Sequence, residues 1–299
     1  MQSAEHSPRI HRVAVCLMLL LLFAVPARPD RRRLEDALRP VFQNKVVFLH
    51  GFYSDSSLRF DRNGDLVGNS ATGVWTVNST ILITDLRINR HNLLMLKGKR
   101  VINVFDDDTG KFVNLTSGTS VQVELELDPA WQDAAPVLAL LGKVIPSSFG
   151  PLSSSVPAYW QCWLSGRTTR DKKSGNWQCS LPNAEPYKAG EAEAARTEAD
   201  ACKALKVGGS VKPPKVLSKA DPTFTDAARF LHLQGRTVLK IIVDEHGEPR
   251  VTGIVRPLGA GLDDQAVECV RHWRFAPATR DGEPVPVEVD VEVSYRLYK

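Results

Sequence analysis

Cysteines and clustered carboxylates are the side chains in this sequence whose spacing could do chemistry. Cys162 and Cys179 sit in near-identical settings, Trp160-Gln161-Cys162 and Trp177-Gln178-Cys179, on either side of a polar, turn-rich stretch from Ser165 to Asn176. A disulfide between them would close a hairpin. With Cys16 set aside in the apolar leader, Cys162, Cys179, Cys202 and Cys269 allow three connectivities, and the Cys162–Cys179 bridge is the one we expect. Neither CxxC nor HxxxH occurs, so a metal centre is not expected, and Cys269 reads as a small buried hydrophobe on a helix. Asp61, Asn63 and Asp65 flank one turn, and Asp106, Asp107, Asp108 and Gly110 form another. Hard cations take oxygen ligands from such loops, but neither continues to a glutamate at the twelfth position, and both read as ordinary hairpin turns. His50 and His91 are isolated. With no Gly-x-Ser-x-Gly elbow, phosphate loop, zinc helix or cofactor fingerprint, an enzyme and a bound cofactor are not expected.

The leader bears on the cysteines through redox compartment. Arg9 and Arg12 precede an uninterrupted apolar run, Val13–Val25, that ends at Val25-Pro26-Ala27. The run is shorter than the roughly twenty residues that span a bilayer core, which favours a secretory signal cut after Ala27. Arg28 and Arg31–Arg33 just beyond it disfavour export, so residues 1–27 are a signal peptide or a signal-anchor. Cys16 follows Val15 rather than a small residue, a poor fit to a lipoprotein site. Export places the chain in the periplasm or cell envelope, where disulfides persist. An anchor over residues 13–25 would hold it in the inner membrane.

The chain has 299 residues, enough for about two domains. A net charge of +4 from 38 basic and 34 acidic residues makes no concentrated basic face, and nucleic acid is not an expected partner. Across residues 34–128 short β-branched and aromatic runs recur between turn signals: Lys45–Tyr53, Leu58–Asp61, Gly73–Val77, Ile81–Ile88, Leu93–Leu96, Val101–Asp106 and Val121–Leu127. They predict an all-β domain, a small sandwich or barrel, with Asn63-Gly64 in a tight turn. Residues 129–212 hold a short helix over Val137–Val144, the cysteine hairpin, an Ala/Glu/Arg-rich stretch Glu191–Ala204 and a linker ending in Gly208-Gly209 and Pro213-Pro214.

Residues 213–299 carry the most information. Phe224, Ala227, Ala228 and Leu231 have helical spacing after Asp221-Pro222. Arg236–Val243 and Arg250–Val255 read as strands around the turn Asp244–Gly247, and Leu262–Trp273 reads as a helix with Asp263 and Asp264 at its positive end. Asp281-Gly282 turns the chain into a last strand, in which Val285, Val287, Val289, Val291, Val293, Tyr295 and Leu297 alternate with Pro286, Glu288, Asp290, Glu292, Ser294 and Arg296. One face packs and one is wet.

This order and its punctuation resemble the TonB C-terminal domain. The resemblance rests on Pro222 with Ala227, Gly235, Val243-Asp244 with Gly247, Leu262-Asp263, Trp273-Arg274-Phe275 with Pro277-Ala278, and Gly282 with Pro284-Val285. Phe224-Thr225 departs from the Tyr-Pro frequent in the family. The resemblance implies an α+β domain that captures a short extended segment of an outer-membrane receptor as an added strand. The alternating final strand, from Val285 to Leu297, offers the backbone for it, although an alternating strand also forms simply to pack one face, and Glu288, Asp290 and Glu292 could repel edge pairing. Two functions stand side by side. An energy transducer would keep its N-terminus and engage inner-membrane motor proteins, whereas a periplasmic binding or adaptor protein would not. The short apolar run, and a β-rich domain where the family has a long spacer, are departures from the transducer pattern.

Overall fold

The computed structural model describes residues 31–148, 150–164, 168–171, 177–179 and 204–297. The leader with Cys16, the stretch 191–203 and Cys202 lie outside the described residues.

Five N-terminal strands, β1 (Val46–Phe48), β2 (Ser57–Phe60), β3 (Thr80–Ile88), β4 (Leu93–Asp106) and β5 (Lys111–Glu126), form one sheet in the order β1-β3-β4-β5-β2. The two runs Leu93–Leu96 and Val101–Asp106 belong to the single strand β4. The unit is not all-β. A helix over Arg31–Phe42 buries Leu34, Leu38 and Phe42, and a second over Ala134–Val144 buries Val137, Leu140, Leu141 and Val144. Both helices share a core with Leu94, Leu96, Val121, Val123 and Leu125 of the sheet. The first helix was hidden by its charges: apolar residues four apart sit among four arginines and two acids, an apolar stripe too narrow to announce itself. Gly73–Val77, expected as a strand, instead leads into a helical turn, Trp75–Asn78, whose Trp75, Thr76 and Asn78 are buried. Both acidic turns are held by their own carboxylates. Asp61 accepts from the amides of Asn63 and Asp65, and Asp106 accepts from the amide of Asp108 and the hydroxyl of Thr109.

The β4–β5 hairpin changes partner halfway. Register runs Lys99↔Ser120 and then Val101↔Thr116, a bulge that bends the ribbon opposite Arg100. Arg100 is buried, and its guanidinium donates to the carbonyls of Asn78, Tyr53 and Asp55. Burial lowers its pKa to about 10, against the pull of Asp55. Beyond the bend, Ile102, Val104 and Phe105 leave the first core and enter a second.

That second core is shared with the C-terminal domain. Its four-stranded sheet has the order β12-β11-β16-β8, with β8 (Leu205–Lys206), β11 (Gly235–Val243), β12 (Pro249–Arg256) and β16 (Val287–Tyr295). The helix Leu262–Arg271 packs against β11 and β12, so the domain is α+β. The helix expected over Thr223–Leu233 is shorter, Asp226–Phe230, because Thr225 rather than Pro222 starts it, its side chain accepting from the Ala228 amide. Short strands not foreseen fill the rest. They are β9 (Val211–Lys212), β10 (Lys215–Ser218), β13 (Arg274–Ala276), β14 (Ala278–Arg280) and β15 (Glu283–Val285), with β10 on β13 and β9 on β14. The final strand is therefore not continuous from Val285. Val285 pairs with Ala278, and Pro286 separates β15 from β16.

Aromatic rings join the two parts. Trp75 meets Trp160 edge-on at 5.1 Å and Phe105 meets Trp163 at 4.8 Å, in the same buried cluster as Leu239, Ile254 and Val270 of the C-terminal domain. Backbone bonds cross as well, from Phe105 N to Leu258 O and from Ala260 N to Asn103 O. Trp160 is fully buried. Trp160→Ala should therefore cost about 3–5 kcal/mol, with far-UV circular dichroism and tryptophan fluorescence shifting together along a urea titration. Separate transitions for the two signals would show that the parts unfold independently.

Candidate functional site

The last strand is built from the alternation in its sequence. Along β16, Val287, Val293 and Tyr295 are buried and Val289 and Val291 half-buried, while Asp290, Glu292 and Ser294 are exposed. The Tyr295 hydroxyl closes this face by donating to the Leu262 carbonyl at 2.7 Å. On the wet face, Arg236 lies 2.9 Å from Glu292, and Lys240 reaches Glu288 at 3.2 Å and Asp290 at 3.3 Å. Partial burial disfavours the Lys240 ammonium, but Asp290 and Glu288 outweigh it and hold its pKa above the ordinary lysine value.

The two edges of the strand differ. All of β16 pairs with β11, from Gly235↔Tyr295 to Val243↔Val287. On the other side it meets only β8, in parallel, at Val287↔Leu205 and Glu288↔Lys206, with Leu205 N donating to Pro286 O at 2.9 Å. In an extended strand successive residues point their N–H and C=O to opposite sides. The Pro286 contact thus places the backbone groups of Asp290, Glu292 and Ser294 on the outer edge, and beyond Glu288 no strand lies beside them among the described residues. The opposite edge, β12, is covered: Trp163 Nε1 donates to Ile254 O at 2.8 Å, and strand β7 (Trp177–Cys179) packs beside it.

Of the residues singled out in the final strand, Val287, Val293 and Tyr295 have side chains in the core, Val289, Val291 and Leu297 are half-buried, and Val285 lies on β15. A strand added here would meet the backbone of Asp290, Glu292 and Ser294, which the alternation placed on the wet face without revealing which edge was open. Near the end of the strand, a polar cavity of about 540 Å³ is lined in part by Arg236, Arg256, Asp107 and Glu292. Its charges are paired, Arg236 with Glu292 and Arg256 with Asp107 at 3.1 Å. Strand β6 (Thr168–Arg170) pairs with β7 through Thr168↔Cys179. Cys162 is buried, and the expected Cys162–Cys179 bridge falls on a Cys179 side chain that lies outside those described. Cys269 is buried and free, its thiol donating to the Ala220 carbonyl. No group of three or more His, Cys, Asp or Glu is placed to hold a metal ion, and no helix is long and apolar enough to cross a membrane, among the described residues.

The sheet and helix are locked by Asp263, which is wholly buried. Its carboxylate accepts from the Thr237 hydroxyl at 2.7 Å, the Leu258 amide at 2.8 Å and the Gly259 amide at 2.7 Å. Burial pushes the carboxyl up to about 7 against the pull of these three donors. Next to it, the Asp264 carboxylate accepts from Tyr159 Oη at 2.8 Å and Trp160 Nε1 at 3.2 Å, and burial raises its pKa too. A folded value near 7 against the ordinary 3.8 means that the folded chain holds the extra proton between the two. The stability this contributes is complete below about pH 4 and is lost as pH rises through about 7. Asp263→Asn should therefore flatten the decline in unfolding free energy over that range, measured by urea denaturation at several pH values. An unchanged slope would remove Asp263 as its source.

Residues 220–297 match the family model described as the Gram-negative bacterial TonB protein C-terminal. Protein TonB of Vibrio cholerae is 26% identical over 87 residues, which are 29% of this chain and 36% of that protein, so the chain matches little more than a third of its length. The solution NMR structure of the Pseudomonas aeruginosa TonB C-terminal domain aligns with 31% of this chain and 91% of that one, at 17% identity and a TM-score of 0.23. The matched span contains the helix Leu262–Arg271 and strands β11, β12 and β16 that build the open edge. Residues 220–297 are a TonB C-terminal domain.

Proposed function

We propose that this chain is a TonB-type protein of the cell envelope. In this reading its C-terminal domain binds partner proteins, TonB-dependent outer-membrane receptors foremost, by taking an extended segment as an added strand along β16, in support of transport across the outer membrane. The observation that carries it is the unequal dressing of the two sheet edges. β12 is covered by Trp163 and β7, whereas β16 beyond Glu288 leaves a row of outward backbone groups. Such a row is a template for one more strand. The half-buried Val289 and Val291 would gain cover from apolar residues on the incoming segment.

A second reading, an adaptor that does not transmit energy, draws on the shared core. Trp160, Phe105 and Ile254 lie in one buried cluster, so the TonB-like domain is mounted directly on a folded unit. In the transducing form Val13–Val25 stays in the inner membrane and engages motor proteins; in the adaptor form it is removed and the chain works in the periplasm. A Cys162–Cys179 bridge belongs with export in either form.

Amide exchange reads the site directly. In the free chain the amides of Asp290, Glu292 and Ser294 should exchange quickly, and addition of a receptor's extended periplasmic segment should slow each by at least about tenfold. Protection at β12 alone, or at no amide of the sheet, would refute capture along β16.

A further inference from the structure

The outer edge of β16 is not open along its whole length, and what closes its beginning is part of the same chain. Leu205–Lys206 runs parallel to β16 at Val287 and Glu288, and the Leu205 amide takes the Pro286 carbonyl. The segment is tied down on its far side as well. Gly208 and Val211 exchange backbone hydrogen bonds, and Val211–Lys212 pairs with β14 at Arg280 and Thr279. Leu205 packs half-buried against the shared core. Pro286 has no N–H to offer any partner, so the first donor a visiting strand could use on this edge is that of Glu288, which lies beside β8.

Resting on the strand-addition reading, we propose that Leu205–Lys206 is a cis stop that sets where a captured strand begins. It confines pairing to the edge from Val289 onward and so selects partners by a short extended segment. Such a segment pairs with the outward backbone groups of Asp290, Glu292 and Ser294. Residues beyond that reach run into β8 and gain no further pairing. The stop therefore fixes register, because the visitor's end must abut Lys206 rather than slide along β16. Its side chains alternate: apolar residues fall beside Val289 and Val291, and polar or basic residues fall beside Asp290 and Glu292.

The test uses the full chain and two fluorescent peptides of Val alternating with Thr or Lys, one of six residues and one of ten, with binding read by polarisation. Wild-type protein should bind both equally, within about twofold. Leu205→Pro, which removes the donor to Pro286, should bind the longer peptide about tenfold more tightly than the shorter, because one or two further backbone bonds become available. Leu205→Gly, which keeps the amide but removes the side-chain anchor, should shift in the same direction and serves if the proline variant does not fold. In wild-type protein the Glu288 amide should show unchanged exchange when the ten-residue peptide is added. Tighter binding of the longer peptide to wild-type protein, with new protection at Glu288, would show that β8 yields and would overturn the stop. Equal binding of the two peptides by a folded variant would overturn it too. Absence of binding by either peptide to any of the proteins would instead remove strand capture itself, and the stop with it.

Discussion

Asp263 ties together the pieces that give this protein its shape. A buried carboxylate must be met by hydrogen-bond donors, and here three donors come from two places at once: the Thr237 hydroxyl on β11 and the amides of Leu258 and Gly259 in the loop before the helix. Gly259, Ala260 and Gly261 all have positive φ, at 91°, 53° and 77°. That is a costly path for Ala260, which has a side chain. The path is held from both sides. Asp263 grips it from the helix, and from the N-terminal unit Thr76 accepts from the Gly261 amide while Asn103 accepts from the Ala260 amide. The loop that starts the helix of the C-terminal domain is thus also the seam between the two halves.

The seam determines the edges. By docking beside β12, the N-terminal unit places Trp163 and Trp177 where an exposed strand edge would otherwise stand. It leaves β16 on the far side of the sheet, where among the described residues only the two of β8 pair with its outer edge. Edge strands are usually blunted by charge, cover or brevity. On β16 the charges do not point along the edge: Glu288, Asp290 and Glu292 stand on the wet face and are drawn toward Lys240 and Arg236 of the neighbouring strand. They leave the backbone path clear. Among the described residues the sheet thus has one dressed edge and one nearly bare edge, the asymmetry on which our proposal of strand capture rests.

A second consequence concerns how the N-terminal unit is made. Its long hairpin serves two cores, and the bulge between Lys99 and Val101 lets one ribbon face the Leu94–Leu125 core at one end and the Trp75–Trp160 core at the other. Because Arg100 sits at the bend with its guanidinium met by three backbone carbonyls, the change of direction is held by hydrogen bonding as well as by apolar packing. Gly247 plays a comparable part at the far end of the sheet. At φ 80° it lies so close to the Phe275 carbonyl that a Cβ would overlap it, and its own carbonyl accepts the Phe275 amide.

The C-terminal domain was largely legible in the sequence because its signals are local. The two-residue alternation of Val287 to Tyr295 settles which side chains pack, the spacing of Leu262, Ala266 and Val270 settles a helix face, and Gly247 marks its turn. These are properties of a few consecutive residues and need no partner to be read. The helix Arg31–Phe42 was not legible, because its stripe of Leu34, Leu38 and Phe42 is diluted by arginines, nor was the turn at Trp75, whose aromatic and β-branched residues have strand propensity that tertiary burial overrides. Nothing local could reveal that Pro286 would split the last strand from Val285 or that Leu205 would pair with it across more than eighty residues of chain. The same holds for the open edge. The sequence by itself determined which residues alternate; only the folded arrangement decided which edge of β16 is covered, because an edge is free or blocked by what the rest of the chain brings beside it.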